Sequence, residues 1–106
     1  MLNEFEKWFA ANASALQSKS FVIEVIRPDL KTDNMSIRAD VDTPNSVAGV
    51  TLWESGEIES GAIDLLTDQT RFNRYAIIQD AEELNETLIT FFAELSALRP
   101  LNKEKD

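Results

Sequence analysis

An α+β fold in two layers, an antiparallel sheet of four to five strands with an N-terminal and a C-terminal helix on one face, is what this 106-residue sequence predicts. Three observations lead there. Leu2, Phe5, Phe9, Ala13 and Leu16 recur at spacings of three and four, the stripe of an amphipathic helix. Met35, Ile37, Ala39 and Val41 alternate with Ser36, Arg38, Asp40 and Asp42, the period of a strand with one face on a core. Leu84, Leu88, Phe91, Phe92, Leu95 and Leu98 then return to helical spacing. The order helix, strands, helix lets both helices bury their stripes against one sheet face and leaves the other face to solvent or a partner.

The first helix is predicted over 2–17, with Trp8 at the edge of its stripe, where an indole covers the rim of a core. Residues 20–27 are rich in β-branched side chains and stop at Pro28, which cannot donate to a sheet ladder, so they form the first strand. The alternating run from Met35 is the second. Thr43-Pro44-Asn45-Ser46 is turn chemistry leading to a third strand over 47–54, paired to the second as a hairpin. Glu54-Ser55-Gly56-Glu57 makes another turn, with glycine where a positive φ is often needed. A fourth strand over 58–66 follows; Ile58 points one way and Ile63 and Leu65 the other, and Gly61 offers a bulge that restores register. Residues 67–73 are polar and read as a loop before a short fifth strand over 74–79. Asp80 caps the second helix, with Glu83 reaching back to complete a capping box, and Pro100 ends it. Residues 1–100 make one domain and 101–106 a frayed tail.

Composition restricts what such a domain does. The chain has no Cys and no His, which removes thiol nucleophiles, the commonest general base and most zinc chemistry. No apolar run is long enough to span a bilayer, and the opening residues lack an export-signal pattern, so the expected address is the cytoplasm, with no membrane contact. The net charge of −9 repels phosphate backbones and argues against direct nucleic-acid binding. Gly49, Gly56 and Gly61 are isolated and form no phosphate-binding loop. Two sequons, at Asn12 and Asn85, fall in helices and read as chance matches. No cofactor is expected. Asp40 and Asp42 leave the same face of a strand and could share a hard cation, though a solvated sheet face is much the simpler explanation of them.

The charge is concentrated. Asp29, Asp33, Asp40, Asp42, Glu54, Glu57, Glu59, Asp64 and Asp68 face only Lys31 and Arg38 between residues 29 and 68, which holds seven of the nine excess charges. With Met35, Ile37, Ala39, Val41, Ala48, Val50 and Leu52 on the core, the outer face receives Arg38, Asp40, Asp42, Thr51 and Trp53, with Glu54, Glu57 and Glu59 nearby. Acid around an aromatic suits a basic protein partner, because carboxylates steer encounter and an indole anchors affinity. A wet sheet face with one exposed Trp fits the same residues.

The opening Leu2-Asn3-Glu4-Phe5-Glu6-Lys7-Trp8-Phe9, the Thr51-Leu52-Trp53-Glu54-Ser55-Gly56-Glu57 hairpin and the Asp80-Ala81-Glu82-Glu83-Leu84 helix start are where the chain resembles another group of proteins. Over nearly its full length it is similar to immunity proteins of bacterial contact-dependent growth inhibition systems, of the family whose toxin forms a three-way complex with elongation factor Tu. The resemblance implies a non-enzymatic inhibitor that binds the C-terminal nuclease domain of its cognate toxin, a transfer-RNA nuclease, and meets elongation factor Tu through that toxin. An acidic adaptor or chaperone-like module for an unrelated basic protein is the alternative that composition leaves open. A small carboxylate enzyme or metal binder is a third.

Overall fold

The computed structural model describes residues 1–28 and 33–101. In chain order they form α1 (Leu2–Ser18), β1 (Val22–Ile26), β2 (Ser36–Asp42), β3 (Ser46–Trp53), β4 (Glu57–Asp64), β5 (Thr70–Ile77) and α2 (Ala81–Ala97). The strands make one open antiparallel sheet in the order β1-β2-β3-β4-β5, so each strand pairs with its sequence neighbours and every connection between described strands is local. This is the two-layer α+β arrangement that the alternation of β2 and the two helical stripes predict.

Both helices sit on one face. α1 packs over β1, β2 and β3. α2 covers the β5 half of the same face, where Phe91 meets Phe72 of β5 edge-on at 5.9 Å and Glu94 pairs with Arg74. Ile37, Ala39, Val41, Ala48, Val50, Leu52, Ile58 and Ala62 form one buried cluster with Phe5, Phe9, Leu84, Leu88 and Phe92. Trp8 joins the helices at the rim of that core: its indole stacks on Phe92 at 5.7 Å and its Nε1 donates to Asn85 Oδ1 at 2.8 Å.

Local chemistry sets the boundaries. Asp80 caps α2 by accepting from the Glu83 N–H at 2.9 Å. Glu83 reaches back one residue further than a capping box requires, accepting from the Gln79 N–H at 3.3 Å. Gly56 has φ of +95°, and a Cβ there would lie 2.5 Å from the Ile78 carbonyl oxygen, so the β3–β4 turn requires glycine.

The second half of the sheet departs from the sequence expectation. β5 begins at Thr70, because polar Thr70 and Asn73 pair with β4 as a strand edge instead of forming a loop. β4 ends at Asp64, leaving Leu65 and Leu66 exposed in the turn. The irregularity near Gly61 lies on β5: Ala62 pairs with Phe72 and Ile63 with Thr70, so Arg71 is the extra residue. It does not return Ile63 to the core, where Ala62 and Asp64 point instead. The bulge turns Arg71 inward, and its Nη1 lies 3.2 Å from Asp64 Oδ1. Within the expected tail, residues 102–106 lie outside the described residues, as do Asp29 and Lys31.

Asp64 is therefore structural and adds nothing to the acidic surface. Only 1% exposed, it also accepts hydrogen bonds from the Leu66 and Thr67 amides and the Thr67 hydroxyl. Burial alone would raise its pKa, but the Thr67 and Leu66 hydrogen bonds and the Arg71 charge together hold the carboxyl below its ordinary 3.8. The lowered folded-state value means that this stabilisation is complete above about pH 4 and is lost as pH falls through the folded value. Asp64→Asn should lower the urea midpoint at pH 7. Its deficit relative to the parent should shrink as the measurement moves to pH 3, and a deficit constant with pH would contradict the account.

Candidate functional site

The sheet face opposite the helices is open, and the pairing register fixes its side chains, because residues directly opposite in antiparallel strands share a face. One row runs Ile26, Arg38, Thr51, Glu59, Tyr75. The next runs Glu24, Asp40, Gly49, Gly61, Asn73. A third runs Val22, Asp42, Val47, Ile63, Thr70. Beyond the first row, Trp53 lies opposite Ser36, and Glu57 opposite Ile77.

Of the seven residues the sequence singles out, Asp40, Asp42, Thr51, Trp53, Glu57 and Glu59 all project from this face. Glu54 does not. It follows β3 in the turn, where its carboxylate accepts from the Met35 N–H at 2.8 Å and ties the start of β2 to the end of β3. Trp53 and Thr51 are half-buried, whereas Asp42 and Glu59 are exposed. Asp40 is paired with Arg38 Nε at 3.3 Å. Among the described residues no three carboxylates are grouped as a metal ion would need.

Sequence reading missed half of the face. Glu24 and Val22 come from β1 and Ile63 from β4, while Asn73, Tyr75 and Ile77 come from β5, which the sequence placed too late in the chain. No period-two pattern marks the β5 residues, because Phe72, Arg74 and Ala76 on one side and Asn73, Tyr75 and Ile77 on the other each mix polar and apolar residues. Val47, Ile63 and Ile77 are about half exposed, so the face is apolar in patches as well as acidic. Its strand residues carry five carboxylates, on Glu24, Asp40, Asp42, Glu57 and Glu59, against the single guanidinium of Arg38.

Tyr75, 57% exposed, donates its phenol to Glu57 Oε1 at 2.7 Å, and Glu57 Oε2 accepts from the Ser55 hydroxyl at 3.0 Å. That bond to Glu57, then partial desolvation, then the Glu57 and Glu59 charges raise the phenol pKa above its ordinary 10.0. The ring is therefore neutral and fixed as a donor at physiological pH. Tyr75 is the single tyrosine of the chain, so its ionisation can be followed directly by ultraviolet absorbance. The midpoint should lie above 10, and Glu57→Gln should move it down towards the ordinary value. A midpoint unmoved by that change would mean that the hydrogen bond does not hold the phenol.

No helix among the described residues is long and apolar enough to cross a membrane. A family model described as "Immunity protein TriTu" matches residues 3–94, from α1 through most of α2. No curated protein matches the chain.

Proposed function

The chain belongs to the TriTu immunity-protein family, and from that premise we propose that it neutralises a cognate toxin by laying the open face of its sheet against the toxin's C-terminal nuclease domain. The observation that carries this reading is the face itself, where carboxylates surround Trp53, Tyr75, Val47 and Ile63 with one cation among them. A protein surface built to accept RNA is basic, and an acidic, partly apolar face complements it in charge while its aromatics supply anchoring area. The protein acts by occlusion, without chemistry of its own.

The finer reading is that the toxin is a transfer-RNA nuclease of a contact-dependent growth inhibition system. Elongation factor Tu is then reached through the toxin, and the encounter takes place in the cytoplasm, where transfer RNA is available. Asp40, Asp42, Thr51, Trp53, Glu57 and Glu59 are the contact residues from the original set, joined by Tyr75. Glu54 supports the hairpin behind them. Family membership favours a toxin over an unrelated basic protein as the partner.

Co-expression tests the proposal. Cells producing the toxin domain encoded beside this chain should survive when the chain is present, and the two proteins should co-purify. Death of the cells and no complex, with both proteins folded, would overturn it.

A further inference from the structure

The middle row of the open face is hollow. Gly49 of β3 and Gly61 of β4 are direct cross-strand partners, and their missing side chains leave a depression of about 400 Å³. Neither glycine has a positive φ, so the backbone conformation does not call for one. A Cβ at Gly49 would make only ordinary contacts, 3.6 Å from the Ala39 carbonyl oxygen and 4.0 Å from Asp40 Oδ1. Gly61 is tighter, 3.1 Å from the Phe72 carbonyl oxygen. Glycine inside a strand weakens it; the Phe72 carbonyl and the adjacent bulge bear on Gly61, but at Gly49 neither turn nor crowding demands one, and close approach by another molecule is the remaining use.

The walls differ in character. Val47 and Ile63 flank the hollow on one side, Thr51 and Glu59 on the other, and Asn73 closes one end. Glu59 is exposed and makes no ion pair among the described residues. An apolar wall beside a carboxylate and amide wall matches a side chain with a methylene stem and a cationic head. Resting on the reading of this face as the toxin-binding surface, we propose that the hollow is a socket for one lysine or arginine side chain of the toxin, with Val47 and Ile63 against its stem and Glu59 and Asn73 receiving its head.

The socket sets the requirements of recognition and stability against each other, and that opposition supplies the test. Gly49→Val fills the hollow and replaces a strand glycine with a strand former, so thermal stability should be unchanged or raised. Affinity for the cognate toxin domain, measured by calorimetric titration, should fall about a hundredfold, as expected when a central anchor is excluded. Gly49→Ala, whose methyl group fits without displacement, should fall between the two. Glu59→Gln should weaken binding about fivefold in the parent protein and hardly at all in the Gly49→Val background, because a displaced cation no longer meets that carboxylate. Equal affinity of Gly49→Val and parent would overturn the socket. Loss in Gly49→Val with no effect of Glu59→Gln in the parent would mean an apolar occupant and overturn the cation. A parent protein that does not bind the toxin at all would overturn the toxin reading itself, and Trp53→Ala binding as tightly as the parent would overturn the placement of the interface on this face. A failed socket is therefore recognised by loss of affinity in Trp53→Ala but not in Gly49→Val.

Discussion

Phe5→Ala is expected to destabilise the protein by about 3–5 kcal/mol, the largest effect of any single substitution considered, read as the shift in a urea or thermal unfolding transition. Phe5 is 0% exposed on the inward stripe of α1, and its ring packs against Phe9 at 4.9 Å. Truncation removes the transfer free energy of the ring and leaves a hole whose lining cannot relax, since the sheet beneath is held by ladder bonds on both sides of β2 and β3. A small domain has roughly 5–15 kcal/mol of stability in all, so the loss takes a large share of it. At roughly 4–8 °C per kcal/mol for a domain near this size, the midpoint should fall by more than about 12 °C. Ile89→Ala is the matched control. Ile89 lies on α2 but is 54% exposed, so its truncation should change stability by less than about 0.5 kcal/mol. Equal effects of the two would mean that α1 is not docked on the sheet as described.

α1 is exposed to such a loss because little else holds its start. Its N-cap, Met1, makes no side-chain capping bond, and the acid in its first turn, Glu4, meets the terminal ammonium at 3.7 Å. An exposed pair of that kind contributes little. Arg27, beyond β1, pairs with Glu6 at the surface and reaches Asn3 Oδ1 at 3.3 Å, which ties the helix to the edge strand without replacing core packing. α2 is better furnished, with Asp80 at its cap and acidic Glu82 and Glu83 in its first turn, where the helix dipole favours them.

The elements most legible in the sequence are those whose local pattern and tertiary environment agree. β2 alternates because one face meets the helices and the other meets solvent, and its buried Ile37, Ala39 and Val41 are the residues that period two selects. α2 reads clearly because cap, stripe and terminating proline coincide. β5 is harder to read because there the two part company. As the far edge of the sheet it is exposed on most of its length, so Thr70 and Asn73 look like loop residues although they pair with β4, and Arg71 between them is the bulged residue. Asp64 reads as surface acid in the sequence because composition cannot distinguish a solvated carboxylate from one buried with an arginine seven residues away. That partnership depends on a bulge, which has no signature of its own in the sequence. The candidate face was half legible for a related reason: β2 and β3 announce their outward residues, whereas Tyr75 and Asn73 join them only once the register of β5 is known.

The consequence for recognition is concentrated in the two tryptophans, which the fold uses oppositely. Trp8 satisfies its indole N–H on Asn85 and stacks on Phe92, so its ring is committed within the molecule. Trp53 ends β3 on the open face, half-buried, with Ser36 across one ladder and the Glu57 and Ile77 pair beyond the other. Its remaining surface faces outward beside carboxylates, where a partner can desolvate it on docking. Trp53→Ala is therefore expected to weaken toxin binding by about 2 kcal/mol or more, roughly a thirtyfold rise in Kd, with little change in the unfolding transition. Trp8→Ala should do the reverse, lowering the thermal midpoint while leaving the affinity of the folded protein near that of the parent. The crossed design separates anchoring from folding, since a loss of affinity at Trp53 with no loss of stability cannot come from unfolding. If Trp53→Ala binds as the parent does, the indole is not an anchor and the contact surface must lie elsewhere, with the exposed Leu65 and Leu66 of the β4–β5 turn the next apolar ground to test. A loss confined to Trp53 would instead join the acid of β2 and β4 to the aromatic of β3 in one docking surface.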